Sequence, residues 1–176
     1  MQYSELTRLY HGDQGNVTFL KEMVADSGGE FDIIIDDGSH DPRHQMISFD
    51  ELFPTLRPGG LYIFEDVETS YWNQIGAGLY ERKFEQPLGR GSGNSVIEKF
   101  KDVIDDSRHI MNVFVGPKSR EKRAVEREGR KMIHEHDIAE VSFAQNLIIV
   151  RKKEDSDDWF YDHVRRGEYM HVKETY

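Results

Sequence analysis

The sequence predicts an α/β domain: a mostly parallel sheet, closed near its C-terminal end by an antiparallel hairpin. Three observations carry that expectation. Short apolar runs alternate with stretches of helical periodicity, as in "FDIIID", "PRHQMISFDEL" and "LYIF". Glycine and proline punctuate the joins, at "DSGGE" and "RPGG". Two β-rich runs, "IAEVSFA" and "NLIIVRKK", are joined by the turn-like "QN".

Taken in order, Leu6 to Tyr10 reads as a short strand ending in the turn "HGDQGN". A helix follows from about Asn16, with Val17, Leu20 and Val24 on one face, and the glycines of "DSGGE" stop it. Phe31 to Asp36 is a near-continuous apolar run of the kind expected for a strand covered on both faces. "SHDP" offers an N-cap and a first-turn proline, so a helix is expected from about Pro42 to Leu56. "RPGG" breaks the chain before the strand "LYIF", which runs into "EDVETSYW". "GAGLYERKFEQPLGRGSGN" reads as a loop or lid, "SVIEKFKDVIDD" as an amphipathic helix and "IMNVFV" as a strand. The mixed-charge "KSREKRAVEREGRK" reads as a solvated helix face. These parts make one domain over residues 1–153, followed by a charged, aromatic tail over 154–176.

Composition narrows the function. With 33 acidic against 23 basic residues the net charge is −10, which argues against nucleic acid and anionic membranes as partners. The absence of cysteine removes disulfides and thiolate chemistry. No apolar run is long enough to span a bilayer, and "MQYSELTRLY" lacks a signal-peptide core, so a cytoplasmic location is expected.

The chemistry concentrates where two apolar strands end in acids. "IIIDDGSH" supplies Asp36, Asp37 and His40, and "LYIFEDVETSYW" supplies Glu65 and Asp66. Open α/β sheets bind ligands at the carboxyl ends of their strands. Adjacent strands lie about 4.8 Å apart. Carboxylates from two such ends can therefore converge on one cation, whose oxygen ligands sit at about 2.0–2.6 Å. Without a cation, packed acids would be driven to take up protons. An all-oxygen set favours a hard ion, Mg²⁺ first. His40, three residues past Asp37, is spaced to take a proton from a hydroxyl beside that cation. The structural alternative, acids capping helix N-termini, suits Asp41 or Asp66 singly but leaves the paired acids unexplained.

"FDIIIDDGSH" followed by "LFPTLRPGGLYIFEDVETSYW" resembles the metal-dependent class I S-adenosylmethionine O-methyltransferases of macrolide sugars and the related cephalosporin-hydroxylase-like proteins. "HGDQGNVTFL" and "IAEVSFAQNLIIVRKK" match the same running order, so the resemblance covers most of residues 6–153. It implies a Rossmann-like sheet, S-adenosylmethionine and Mg²⁺ as cofactors, and methyl transfer to a hydroxyl of a sugar or other small metabolite. It further implies that Asp37, Glu65 and Asp66 hold Mg²⁺ and that His40 is the general base. Asp36 and the Asp13–Gln14 turn would lie near the cofactor, and Tyr71 and Trp72 would shape the acceptor pocket or pack beneath its loop. The sequence departs from the family in having no glycine-rich turn after an early strand. The sheet is therefore expected to be N-terminally incomplete, with the DDGSH strand at an edge. A second copy of the chain is one way to complete it. The competing reading is a non-catalytic, metal-binding or oligomerising module of methyltransferase ancestry.

Overall fold

The computed structural model describes residues 7–71, 74–75, 82–83, 95–107, 134 and 137–157. Helix α1 (Val17–Ser27) starts where the Asn16 side chain accepts the Phe19 N–H at 3.2 Å, and it stops at Gly28 in the left-handed region. Leu20 is its buried contact with the core, flanked by the partly buried Val24. The strand expected over Leu6–Tyr10 is not there: residues 7–10 have no regular structure. Their side chains bind α1 instead. Arg8 donates to the Asp26 carbonyl at 2.6 Å and the Tyr10 hydroxyl donates to the Asp26 carboxylate at 2.7 Å, leaving Leu9 70% exposed.

Strand β1 (Phe31–Asp36) pairs in parallel with β2 (Leu56–Glu65), and α2 (Pro42–Leu52) connects them. Asp41 caps α2 by accepting the Arg43 N–H at 2.9 Å, and it also pairs with the Arg43 guanidinium at 2.8 Å. The helix ends four residues earlier than its expected Leu56 limit, because Phe53–Thr55 tightens into a 3₁₀ turn. "RPGG" lies inside β2 rather than before it. The register steps there from Phe31↔Leu56 to Ile33↔Leu61, with Gly59 at φ +78 absorbing the irregularity.

A two-stranded ribbon, β3 (Gln74–Ile75) and β4 (Arg82–Lys83), interrupts the loop that follows. Helix α3 (Val96–Ser107) confirms the amphipathic segment. The expected hairpin is present as β5 (Ile138–Phe143) and β6 (Leu147–Lys152), and β6 lies antiparallel to β2. Among the described residues the main sheet therefore runs β1-β2-β6-β5, and it is mixed: β1 and β2 pair in parallel, the other neighbours antiparallel. The strand expected at "IMNVFV", the mixed-charge run and the tail beyond Asp157 lie outside the described residues.

The core sits on one face of this sheet. Phe49 of α2 stacks on Phe53 at 4.6 Å and meets Tyr62 edge-on at 5.1 Å, with Phe64 and Phe100 of α3 beside it. The other face corrects the expectation that β1 is covered on both sides. Ile33 and Ile35 are 56% and 58% exposed, because the helices α1, α2 and α3 contribute their buried side chains to the aromatic face. Among the described residues, no helix is long and apolar enough to cross a membrane.

Candidate metal centre

Because β1 and β2 are parallel, their carboxyl ends emerge at the same end of the sheet. Three groups converge there. Ligating atoms of Asp37, His40 and Asp66 lie within 4.8 Å of one another. His40 Nε2 stands 3.5 Å from Asp66 Oδ2 and 3.9 Å from Asp37 Oδ1. Its other ring nitrogen, Nδ1, is buried and has no hydrogen-bond partner among the described residues. His40 and Asp66 also hold left-handed backbone, at φ 54 and φ 52. Non-glycine residues there cost about 1–2 kcal/mol each, and such strain gathers at functional sites.

The remaining expected site residues are arranged around this trio. Asp36, only 5% exposed, accepts from the Tyr62 hydroxyl at 3.0 Å and from the Gln14 amide. Burial raises its carboxyl above the ordinary range, and the bonds from Tyr62 and Gln14 oppose that rise. The Tyr62 hydroxyl is pushed well above its ordinary value, by burial first and by Asp36 second. Gln14 also accepts the Ser39 N–H at 2.7 Å, so it staples the "HGDQGN" turn to the loop carrying His40. Gly38 leaves room for this staple, since a Cβ there would collide with Gln14 Oε1. Asp13 accepts the Gly15 N–H at 2.8 Å and shapes the same turn.

Glu65 stands apart from the converging trio. Alternation along β2 puts Tyr62 and Phe64 on the helix-covered face, and Glu65 on the face of Leu61 and Ile63. Its carbonyl accepts from the buried Gln45 amide at 3.0 Å. Tyr71 is exposed, with its hydroxyl 3.3 Å from Glu98 and 3.4 Å from Lys101 of α3. Trp72 lies outside the described residues.

Sequence reading missed Asn146. Its amide donates to Asp66 Oδ1 at 2.6 Å, while its side-chain oxygen accepts the Glu68 N–H at 3.2 Å. The signal was available in the hairpin. If β6 runs antiparallel to β2, the "QN" turn must fall at the carboxyl end of β2, beside "ED".

Two carboxylates and an imidazole thus gather at the carboxyl ends of parallel strands in a mixed α/β sheet, an arrangement that makes a candidate divalent-cation centre. The comparisons with known proteins agree with the resemblance in the motifs. The chain is 51% identical over 69 residues to mycinamicin VI 2''-O-methyltransferase of Micromonospora griseorubida, a match covering 39% of this chain and 17% of that protein. It is 52% identical over 65 residues to demethylmacrocin O-methyltransferase of Streptomyces fradiae, covering 37% of this chain and 16% of that protein. It is 39% identical over 104 residues to L-olivosyl-oleandolide 3-O-methyltransferase of Streptomyces antibioticus, covering 58% and 24%. Among solved structures it matches the MycE methyltransferase of the mycinamycin pathway, in complex with Mg, SAH and mycinamycin VI. The TM-score is 0.62 at 29% identity, over 90% of this chain and 36% of that one. No family model matches. The matched segments make up between 16% and 24% of the curated relatives, so the likeness is to part of each of these sugar O-methyltransferases.

Proposed function

We propose that this chain carries the metal-and-base side of an S-adenosylmethionine-dependent O-methyltransferase acting on a hydroxyl of a sugar or another small metabolite. One observation carries the reading: Asp37, His40 and Asp66 converge at the carboxyl end of a parallel strand pair, in a chain related to sugar O-methyltransferases. The donor set fits a hard divalent cation, because two carboxylates lie within ligand reach of each other and, among the described residues, neither is paired with a Lys or Arg. Asp37 and Asp66 would hold Mg²⁺, with Glu65 as the third carboxylate that the resemblance implies. Bound there, Mg²⁺ supplies positive charge that makes the acceptor hydroxyl more acidic, and S-adenosylmethionine supplies the methyl group.

The chain's own residues do the rest. His40 takes the hydroxyl proton at Nε2, the nitrogen facing Asp37 and Asp66, and those carboxylates stabilise the resulting imidazolium. Gln14 binds both Asp36 and the Ser39 N–H, and Asp13 shapes the turn that carries Gln14, which supports reading these residues as a wall of the cofactor pocket. Tyr71, with Trp72 next to it, would flank the acceptor. Much of the rate enhancement would come from holding acceptor and cofactor in line.

The mixed sheet is read as part of a Rossmann-like sheet whose further strands join at the edge of β1. The end position of β1 among the described strands supports this, and a second copy of the chain is one supplier of such strands. The same exposed edge favours the second reading, a non-catalytic module that binds metal and associates with other protein.

Calorimetric titration of the purified chain with S-adenosylmethionine, with and without Mg²⁺, separates the two. Micromolar binding followed by methyl transfer to a sugar-bearing macrolide supports the enzyme. Uptake of Mg²⁺ with no binding of S-adenosylmethionine supports the module. Absence of both would remove the site.

A further inference from the structure

We propose that Asn146 is a positioning residue of this centre. Its side-chain amide holds one oxygen of Asp66, so that the other is presented to His40 and the cation. The inference rests on the metal reading above and adds a residue to it.

Sheet register puts Asn146 in place. Glu65 pairs with Leu147 across the antiparallel β2–β6 ladder. The next residues outward, Asp66 and Asn146, therefore face each other where the ladder ends. A tight turn, closed by the Ala144 N–H donating to the Leu147 carbonyl at 3.0 Å, fixes that end of the hairpin. Asn146 then contacts three consecutive residues. Its amide donates to Asp66 Oδ1 at 2.6 Å, its main-chain carbonyl accepts the Val67 N–H at 3.5 Å, and its Oδ1 accepts the Glu68 N–H at 3.2 Å.

The chemistry of the side chain suits the task. An amide both donates and accepts, so one residue can bind a carboxylate and a backbone N–H together. Aspartate would offer two acceptors there and leucine neither. With Oδ1 engaged, Asp66 Oδ2 is the oxygen left 3.5 Å from His40 Nε2. Asp66 reaches this position through left-handed backbone, φ 52, and the clamp on the two following residues holds that conformation. Gln45 offers a contrast. It binds the neighbouring acid through the Glu65 carbonyl, which fixes the strand and does not touch the carboxylate.

The test is Mn²⁺ affinity, read by electron paramagnetic resonance on the purified chain, in a cycle of wild type, Asn146→Ala, Asp66→Ala and the double variant. Asn146→Ala should weaken Mn²⁺ binding by about 10–100-fold, the range for residues that orient a metal ligand. In the Asp66→Ala background the same substitution should cause no further loss, because its effect passes through that carboxylate. Asn146→Gly, which suits a turn, replaces the alanine variant if that one fails to fold. Wild-type affinity in the single variant overturns the proposal, as does an equal loss with and without Asp66. If the wild-type chain takes up no Mn²⁺, the metal reading falls and this inference falls with it, an outcome distinct from the other two.

Discussion

The ends of β1 and β2 carry nearly the same letters, "DD" and "ED", and the fold uses each position differently. The last residue of each strand still obeys the pleat. In β1 this turns Asp36 toward the helices, where Tyr62 and Gln14 bind it in the core. In β2 it turns Glu65 to the opposite face, with Leu61 and Ile63. The next residue has left the ladder and is freed from alternation. Asp37 and Asp66 both use that freedom to approach His40, Asp66 by way of left-handed backbone. One acid of each pair thus follows the sheet and the other approaches the imidazole.

The sharpest way to break this contrast is to remove the acids one at a time. Asp37→Ala and Asp66→Ala should each lower Mg²⁺ affinity by about 100-fold or more, exceeding the usual effect of residues that only orient a ligand. Both should leave the unfolding transition close to wild type, since the Asp37 and Asp66 side chains are 59% and 46% exposed. Calorimetry and a thermal melt on the same samples check the pair of expectations. An unchanged affinity in both variants would dismiss the trio as a metal centre.

How far this contrast was legible in the sequence depends on which physical signal each part leaves. The two acid-tipped strands, the capped helices and the closing hairpin announce themselves through local chemistry, and they are all present. Sorting Asp36 from Asp37 came from the family resemblance and was not legible in the residues themselves, because it depends on where the strand stops following the pleat. A one-residue shift moves a side chain to the other face. The apolar run "FDIIID" suggested burial on both faces, yet what covers Ile33 and Ile35 is a tertiary matter that the run itself does not encode. "LTRLY" resembles a strand in composition, but Arg8 and Tyr10 find their partners on Asp26. Asn146 was hidden for a different reason. Its role follows from the β2–β6 register, and turns are usually read for backbone shape alone.

Next in size are changes on the structural acid. Tyr62→Phe deletes the hydroxyl that binds the buried Asp36 and should destabilise the fold by about 1–3 kcal/mol, the cost of stranding a buried acceptor. Mg²⁺ affinity should stay within a few-fold of wild type, because the hydroxyl contacts Asp36 and none of the trio. A loss of metal binding equal to that of Asp66→Ala would erase the distinction between the two acids.

The pH dependence of stability sharpens the same point. The folded-state value of Asp36 is raised, chiefly by burial, so the native state holds this proton more tightly than the unfolded chain does. The group therefore contributes stability below its unfolded value, and that contribution is lost as pH rises through the folded value. Asp36→Asn cannot ionise. Its stability relative to wild type should improve from acid toward neutral pH, measured by urea unfolding across that range. A variant that instead loses ground as pH rises would mean that the Tyr62 and Gln14 bonds outweigh burial.

The smallest effect concerns the backbone beneath the imidazole. At φ 54, His40 occupies a conformation that costs a non-glycine residue about 1–2 kcal/mol. Glycine removes that strain but adds roughly 0.5–1 kcal/mol of unfolded-state entropy to be lost on folding. His40→Gly should therefore be more stable than His40→Ala by about 0.5–1 kcal/mol, read from denaturant midpoints. Both variants lack the imidazole, so the comparison isolates backbone strain from the proposed role of the ring. Equal stabilities would mean that the loop relaxes once the ring is gone. Then the left-handed turn is held by the His40 side chain between Asp37 and Asp66, rather than by the Gln14 staple behind it.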